Sequence, residues 1–204
     1  MTPPHGPCRD VAGVILCGGL SRRMGGQDKG QMSWDGQTLL QRVVARFAPQ
    51  QNETLLAVGH HTWAIHEAAG LTRVADRRPG SRGPLAGLEA AWLVTSRNWL
   101  VTVPVDLPLL PLDLTWHLWS GRDGERPVVA VAGGRRHGVV ALWPRTLADA
   151  VSAALDREEH GVAALLQRLN AREVVFPDPV DGEPDPFYNV NRPEDLARLQ
   201  AWPG

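Results

Sequence analysis

The chain is poor in cysteine, with two in 204 residues, Cys8 and Cys17. Both lie too close to one end to clamp a core, and two thiols make no disulfide framework. It also lacks an excess of charge of either sign: 21 Lys and Arg stand against 22 Asp and Glu, a formal net charge of -1. A global basic field that would hold nucleic acid or an anionic membrane is therefore excluded. No long uninterrupted apolar run is present. The most apolar stretch, from Trp99 to Trp119, is broken by Asp106, Asp113 and the prolines at 104, 108 and 111, so it cannot span a bilayer as a helix. The opening Met1-Thr2-Pro3-Pro4-His5-Gly6-Pro7 has no cationic and apolar pattern of a signal peptide. A soluble cytoplasmic protein is expected.

What is present is ordinary for a globular domain. Hydrophobic residues are 43% and charged residues 21%. Gly 21 and Pro 17 make the chain loop-rich without reaching the composition of low complexity, and no internal repeat is evident. Residues 1–10 read as a flexible polar tail, and 11–204 as one domain with a single core.

Hydrophobic periodicity orders the elements. Val11 to Cys17 is a short apolar run ended by Gly18-Gly19, the pattern of a buried parallel strand. Thr38 and Gln41 form a capping box that opens a helix with Leu39, Leu40, Val43, Val44 and Phe47 on one face. Thr54 to Val58 and Leu71 to Ala75 read as strands, with a helix from Trp63 to Ala69 between them. Pro84 starts a helix carrying Leu85, Leu88 and Trp92. Trp99 to Val103 is a further strand with Asp106 just beyond it. Val128 to Ala132 and Val139 to Trp143 are β runs joined by Gly133-Gly134-Arg135-Arg136-His137. Leu147 to Leu155 and Val162 to Leu169 read as helices, Val174 to Phe176 as a strand and Pro193 to Trp202 as a closing helix. Alternating strands and helices predict an α/β fold, a mostly parallel central sheet with helices on both faces. Ligands of such sheets bind at the carboxyl ends of the strands. Gly18 to Lys29, Asp76 to Gly83 and Asp106 are therefore expected on one edge.

The loop Leu16-Cys17-Gly18-Gly19-Leu20-Ser21-Arg22-Arg23-Met24-Gly25-Gly26-Gln27-Asp28-Lys29 carries the chemistry. Glycines let backbone N–H groups approach an anion closely, and Arg22, Arg23 and Lys29 add charge-assisted hydrogen bonds to phosphate oxygens. Four glycines and three cations directly after a buried strand point to a triphosphate. It is not a Walker loop, because Gly30 follows Lys29, and it does not fit the dinucleotide fingerprint G-x-G-x-x-G. Asp106, held between Pro104 and Pro108, is a hard oxygen ligand suited to Mg²⁺, or else a cap for the helix that follows. Asn189 and Asn191 alternate along an extended segment and share a face, facing a ligand or forming a turn before the Pro193 helix.

Together with three ordered segments, this loop resembles the signature of the MobA-like nucleotidyltransferases, the guanylyltransferases of molybdenum cofactor assembly. The segments are Asp76 with Gly83-Pro84-Leu85-Ala86-Gly87, Pro104-Val105-Asp106-Leu107-Pro108, and Asn189-Val190-Asn191-Arg192-Pro193-Glu194-Asp195-Leu196. The resemblance implies a Rossmann-like sheet of the nucleotide-diphospho-sugar-transferase kind. It implies Mg²⁺-dependent transfer of GMP from GTP to molybdopterin with release of pyrophosphate. Arg23, Lys29 and Asp106 would be catalytic. Leu16, Cys17, Gly18, Gly19, Lys29, Asp76 and Asp106 would bind nucleotide, with Asp106 on the metal. Ser21, Arg22, Gly83, Asn189 and Asn191 would contact phosphates or substrate. It implies transient contact with other cofactor-assembly proteins and molybdoenzyme chaperones. Cytidylyl transfer to the same pterin, nucleotide transfer to a sugar phosphate, and a non-catalytic nucleotide-binding regulator are the alternatives. Arg192 stands where the family usually has Thr, and Val58 where related chains often carry a polar residue near guanine. His137 lies where the family has a His-Pro pair, and a pterin contact is expected of it only by that likeness.

His60, His61 and His66 lack the spacing and companions of a zinc site. Trp92, Trp99, Trp116 and Trp119 are expected in the core. Cys17 has no base to make it a nucleophile.

Overall fold

A computed structural model describes residues 5–17, 29–59, 70–80, 83–180 and 183–200. The glycine-rich segment 18–28, with Ser21, Arg22 and Arg23, lies outside them, as do His60, His61, His66, the expected helix at 63–69 and Trp202. In chain order the elements are β1 (Cys8–Leu16), β2 (Ser33–Trp34), β3 (Gln37–Thr38), α1 (Leu39–Phe47), β4 (Gln51–Ala57), β5 (Thr72–Val74), α2 (Pro84–Val94), β6 (Trp99–Pro104), α3 (Leu114–Ser120), β7 (Val128–Ala132), β8 (Arg135–Pro144), α4 (Ala148–Asp156), α5 (Val162–Arg168), β9 (Arg172–Val175) and α6 (Pro193–Gln200).

Among the described residues the main sheet runs β5-β4-β1-β6-β8-β7-β9. Strands β5, β4, β1 and β6 are parallel neighbours. Strand β8 alone runs the other way, antiparallel to both β6 and β7, while β9 is parallel to β7. The mostly parallel sheet expected from the pattern is therefore present, with one reversal.

Period-two alternation in β1 feeds two cores. Val11 and Ile15 pack with Leu40, Val43 and Phe47 of α1 and with Leu114 and Leu118 of α3. Ala12, Val14 and Leu16 point to the opposite face, against Leu85, Leu88 and Trp92 of α2 and the apolar residues of α4 and α5. Burying both faces is what makes a parallel sheet stable, because neither face then meets water. The Thr38 capping box is formed: Gln41 N–H donates to Thr38 Oγ1 at 3.1 Å and Thr38 N–H to Gln41 Oε1 at 2.8 Å.

Several boundaries differ from the sequence reading. Strand β1 starts at Cys8, inside the span read as tail, and Cys8 pairs with Gln51 across an irregular register. The helix α3 escaped notice because prolines at 108 and 111 broke the apolar stretch just before it. The small β2–β3 hairpin was also missed, and β9 lies two residues upstream of its expected start. Strand β8 begins at Arg135, so the connection from β7 is the two-residue turn Gly133-Gly134, both at positive φ, not a five-residue loop. Trp92 and Trp99 are buried, whereas Trp116 and Trp119 are only partly so.

Candidate active site

One further backbone hydrogen bond beyond each tip holds the parallel strands together at their carboxyl ends. Cys17 N–H donates to Ala57 O at 2.8 Å, Val58 N–H to Val74 O at 3.0 Å and Val105 N–H to Leu16 O at 3.2 Å. The tips of β5, β4, β1 and β6 therefore form a row. At roughly 4.8 Å per strand it spans about 14 Å from β5 to β6.

At the β6 end, Asp106 lies in the turn after Pro104. Lys29 opens a 3-10 turn, Lys29–Gln31, at the end of the glycine-rich segment. Its ammonium donates to Asp106 Oδ2 at 2.9 Å and to Asn191 Oδ1 at 2.6 Å. Asp106 Oδ1 is buried and has no hydrogen-bond partner among the described residues. Among the described residues the carboxylate thus meets a cation with one oxygen and no hydrogen-bond partner with the other, and it caps no described helix. Burying a polar oxygen without a partner is costly, and a ligand at this oxygen would offset that cost.

The segment before α6 is fastened to this turn. Val190 N–H donates to Asp106 O at 2.9 Å, and the buried Val190 packs with Leu39 and Leu199. The Asp195 carboxylate accepts from the backbone N–H of Asn191 at 2.8 Å and of Arg192 at 2.9 Å. Partial burial pushes the Asp195 carboxyl up. The N–H groups of Asn191 and Arg192 and the Tyr188 hydroxyl pull harder the other way, and the net value lies below the ordinary one. Asp195 thereby supplies half of a capping box from the third helical position. Arg192, at the N-cap, has no side-chain oxygen to complete it, and the Asp195 N–H donates to the Arg192 carbonyl at 3.0 Å instead.

Beside Asp106 a cleft of about 300 Å³ opens, with Asp106, Asn189 and Asn191 on its rim and Arg135, Arg136 and His137 across it. The reversed direction of β8 brings these three residues here. The strand begins, rather than ends, at the edge where its parallel neighbours stop. A register shift between Val129 and Ala130 bulges β8 at this point, and Gly138, Val139 and Val140 line the cleft. Arg136 pairs with Glu173 of β9, whereas Arg135 makes no salt bridge among the described residues. His137 packs against the Phe187 ring at 4.6 Å. Burial pushes its imidazole below the usual histidine value.

Of the residues singled out from the sequence, Lys29, Asp106, Asn189 and Asn191 come together around one point. Leu16 and Cys17 lie at the adjacent β1 tip. Asp76 stands at the far end of the row, two residues beyond β5, and Gly83 is the N-cap of α2. A Cβ at position 87, one turn into α2, would lie 2.7 Å from Leu16 Cδ2 and 3.0 Å from Ala57 Cβ. Glycine there lets α2 seat directly on the strand tips. Arg135, Arg136 and Asp195 were not singled out. The signal for the first two was the Gly133-Gly134 pair, a two-residue hairpin turn that places Arg135 at a strand start. Among the described residues no group of three or more His, Cys, Asp or Glu could hold a metal, and no helix is long and apolar enough to cross a membrane.

A family model described as the MobA-like NTP transferase domain matches residues 13–174. The chain belongs to that family. This MobA-like NTP transferase is 35% identical over 186 residues to a molybdenum cofactor guanylyltransferase of Yersinia pseudotuberculosis, covering 91% of this chain and 93% of that one. The fold is similar to that of the molybdopterin-guanine dinucleotide biosynthesis protein A of Archaeoglobus fulgidus, with a TM-score of 0.73 at 23% identity over 92% of this chain and 95% of that one. It is similar also to a Mycobacterium tuberculosis protein solved in complex with manganese, with a TM-score of 0.66 at 15% identity over 93% and 97% of the two chains. The family's transferase class accounts for the Lys29 ammonium and the Asp106 carboxylate meeting at strand tips.

Proposed function

We propose that this MobA-like transferase is a molybdenum cofactor guanylyltransferase. A terminal phosphate oxygen of molybdopterin attacks the α-phosphorus of GTP in line. A new P–O bond forms to GMP, the bond from Pα to the bridging oxygen of the β-phosphate breaks, and pyrophosphate leaves with that electron pair. No covalent intermediate with the protein is required, so catalysis rests on positioning and charge neutralisation.

The observation that carries this reading is the meeting of Lys29, Asp106 and Asn191 at the carboxyl ends of β1 and β6. Lys29 neutralises the triphosphate, joined by Arg23 and, through backbone N–H groups, by Gly18 and Gly19. Ser21 and Arg22 add phosphate contacts. Leu16, Cys17, Asp76 and Gly83 line the nucleotide's path along the strand tips. The unpartnered Asp106 Oδ1 fits a divalent cation, Mg²⁺, with Asn189 and Asn191 offering neutral oxygens nearby. Such a cation supplies charge that polarises the α-phosphate and stabilises the departing pyrophosphate. Arg135 and Arg136 face the cleft beyond Asp106 and hold the acceptor phosphate. His137, whose charged form burial disfavours, offers a hydrogen bond.

Pyrophosphate release is measured with GTP, CTP or UTP in the presence of Mg²⁺ and molybdopterin. Release with GTP and covalent GMP on the pterin is expected. Release with CTP instead would assign the chain to cytidylyl transfer, and binding without release would make it a regulator. Arg135→Ala is expected to raise the KM for molybdopterin about tenfold with the KM for GTP unchanged.

A further inference from the structure

Glu89 is a buried carboxylate that the cleft does not use. It lies on α2, a helix otherwise apolar, with its side chain 5% exposed. Its charge is met from outside the helix. Arg78 Nε donates to Glu89 Oε2 at 3.0 Å and Arg78 Nη2 to Oε1 at 2.8 Å, while Ser152 Oγ of α4 donates to Oε1 at 2.8 Å. The same guanidinium donates to Asp156 of α4 and to the Ser152 carbonyl. Hydrogen bonds from Arg78 hold the Glu89 carboxyl below its ordinary value in spite of burial.

A buried ion pair of this kind adds little stability over apolar residues of the same shape. What it does fix is geometry, because a forked guanidinium has one orientation against a carboxylate. Arg78 stands two residues beyond Asp76, in the turn that leaves β5 at the strand-tip edge. The fork joins that turn to α2 and α4 at once, and α2 is the helix seated on the tips of β1 and β4.

We propose that Glu89 and Arg78 are positioning residues for the nucleotide, setting the Asp76 turn against the strand tips. This rests on the nucleotide role given to Asp76 under the proposed function.

The test uses the full chain with Glu89→Gln, Glu89→Ala, Arg78→Lys and the Glu89→Gln/Arg78→Lys pair. Initial rates are measured with GTP and molybdopterin varied in turn, GTP binding by calorimetry, and folding by urea titration. Each single variant raises the KM and Kd for GTP about tenfold, with kcat and the KM for molybdopterin within about twofold. The pair shows no more than the larger single effect, because the two act as one unit. Arg78→Lys, on the turn, carries the test if Glu89→Ala does not fold. Folded variants with unchanged GTP binding overturn the positioning role. So does a fall in kcat with both KM values constant, the mark of a smaller active fraction. Wild-type chain that binds no GTP overturns the proposed function itself.

Discussion

Lys29 and Asp106 are 77 positions apart in sequence and 2.9 Å apart at their charged ends. The ammonium sits on Oδ2, and Oδ1 has no hydrogen-bond partner among the described residues. Replacing Lys29 by Ala removes a preorganised cation at the point where charge builds up. Loss of one such donor lowers kcat by about 10²–10³. The pair is partly exposed, so folding stability changes by no more than about 1 kcal/mol. Steady-state rates beside urea titration check both halves; full activity in the variant would remove Lys29 from the chemistry.

Arg192 leaves the cap of α6 half made. Arg192→Thr places a hydroxyl where it can share the Asp195 backbone N–H, which already donates to the Arg192 carbonyl at 3.0 Å, and so complete the reciprocal pair that the Asp195 carboxylate begins. A gain of about 0.5–1 kcal/mol in urea titration is expected. No gain would mean that the arginine side chain stabilises the segment in another way.

Gly87→Ala drives a methyl group into Leu16 and Ala57. Helix α2 must lift off the strand tips, and overpacking of this kind costs about 1–3 kcal/mol. Thermal unfolding reads the loss, and GTP binding weakens along with it because the Asp76 turn is tied to the same helix. An unshifted midpoint would show that α2 has room to spare.

The pH dependence follows from His137. Its folded value lies below its unfolded one because burial disfavours the imidazolium. Below the ordinary histidine value the unfolded chain binds the extra proton, so stability falls as pH drops through about 6.5. His137→Phe removes that slope while keeping the ring against Phe187. Unfolding free energies from pH 7.5 to 5 test it, and an identical slope in the variant would assign the titration elsewhere.

Much of this was legible in the residues. The apolar runs at 11–17, 54–58 and 99–103 and the amphipathic helix after Thr38 obey periods that burial enforces, and the strand-tip rule then gathered Lys29 and Asp106. Less legible was whatever depends on strand direction. Val139 to Trp143 alone does not say that β8 runs backwards; the Gly133-Gly134 hairpin turn does, and with residues 133–137 read as one loop Arg135 and Arg136 read as loop charges. Glu89 was hidden differently. On an apolar helix it looks like a surface position, and only the packing of Arg78 and Ser152 around it explains a buried charge.

The reversed strand has a further consequence. Lys29 and the tips of β5, β4 and β1 come from the first half of the chain, while Arg135 to Val140 come from a hairpin in the second half, and among the described residues Asp106 and Asn191 lie between the two groups. On the proposed roles, donor and acceptor recognition are therefore modular. Grafting a different hairpin between β7 and β8 would retarget the recipient of the nucleotide while leaving the grip on the nucleotide itself untouched.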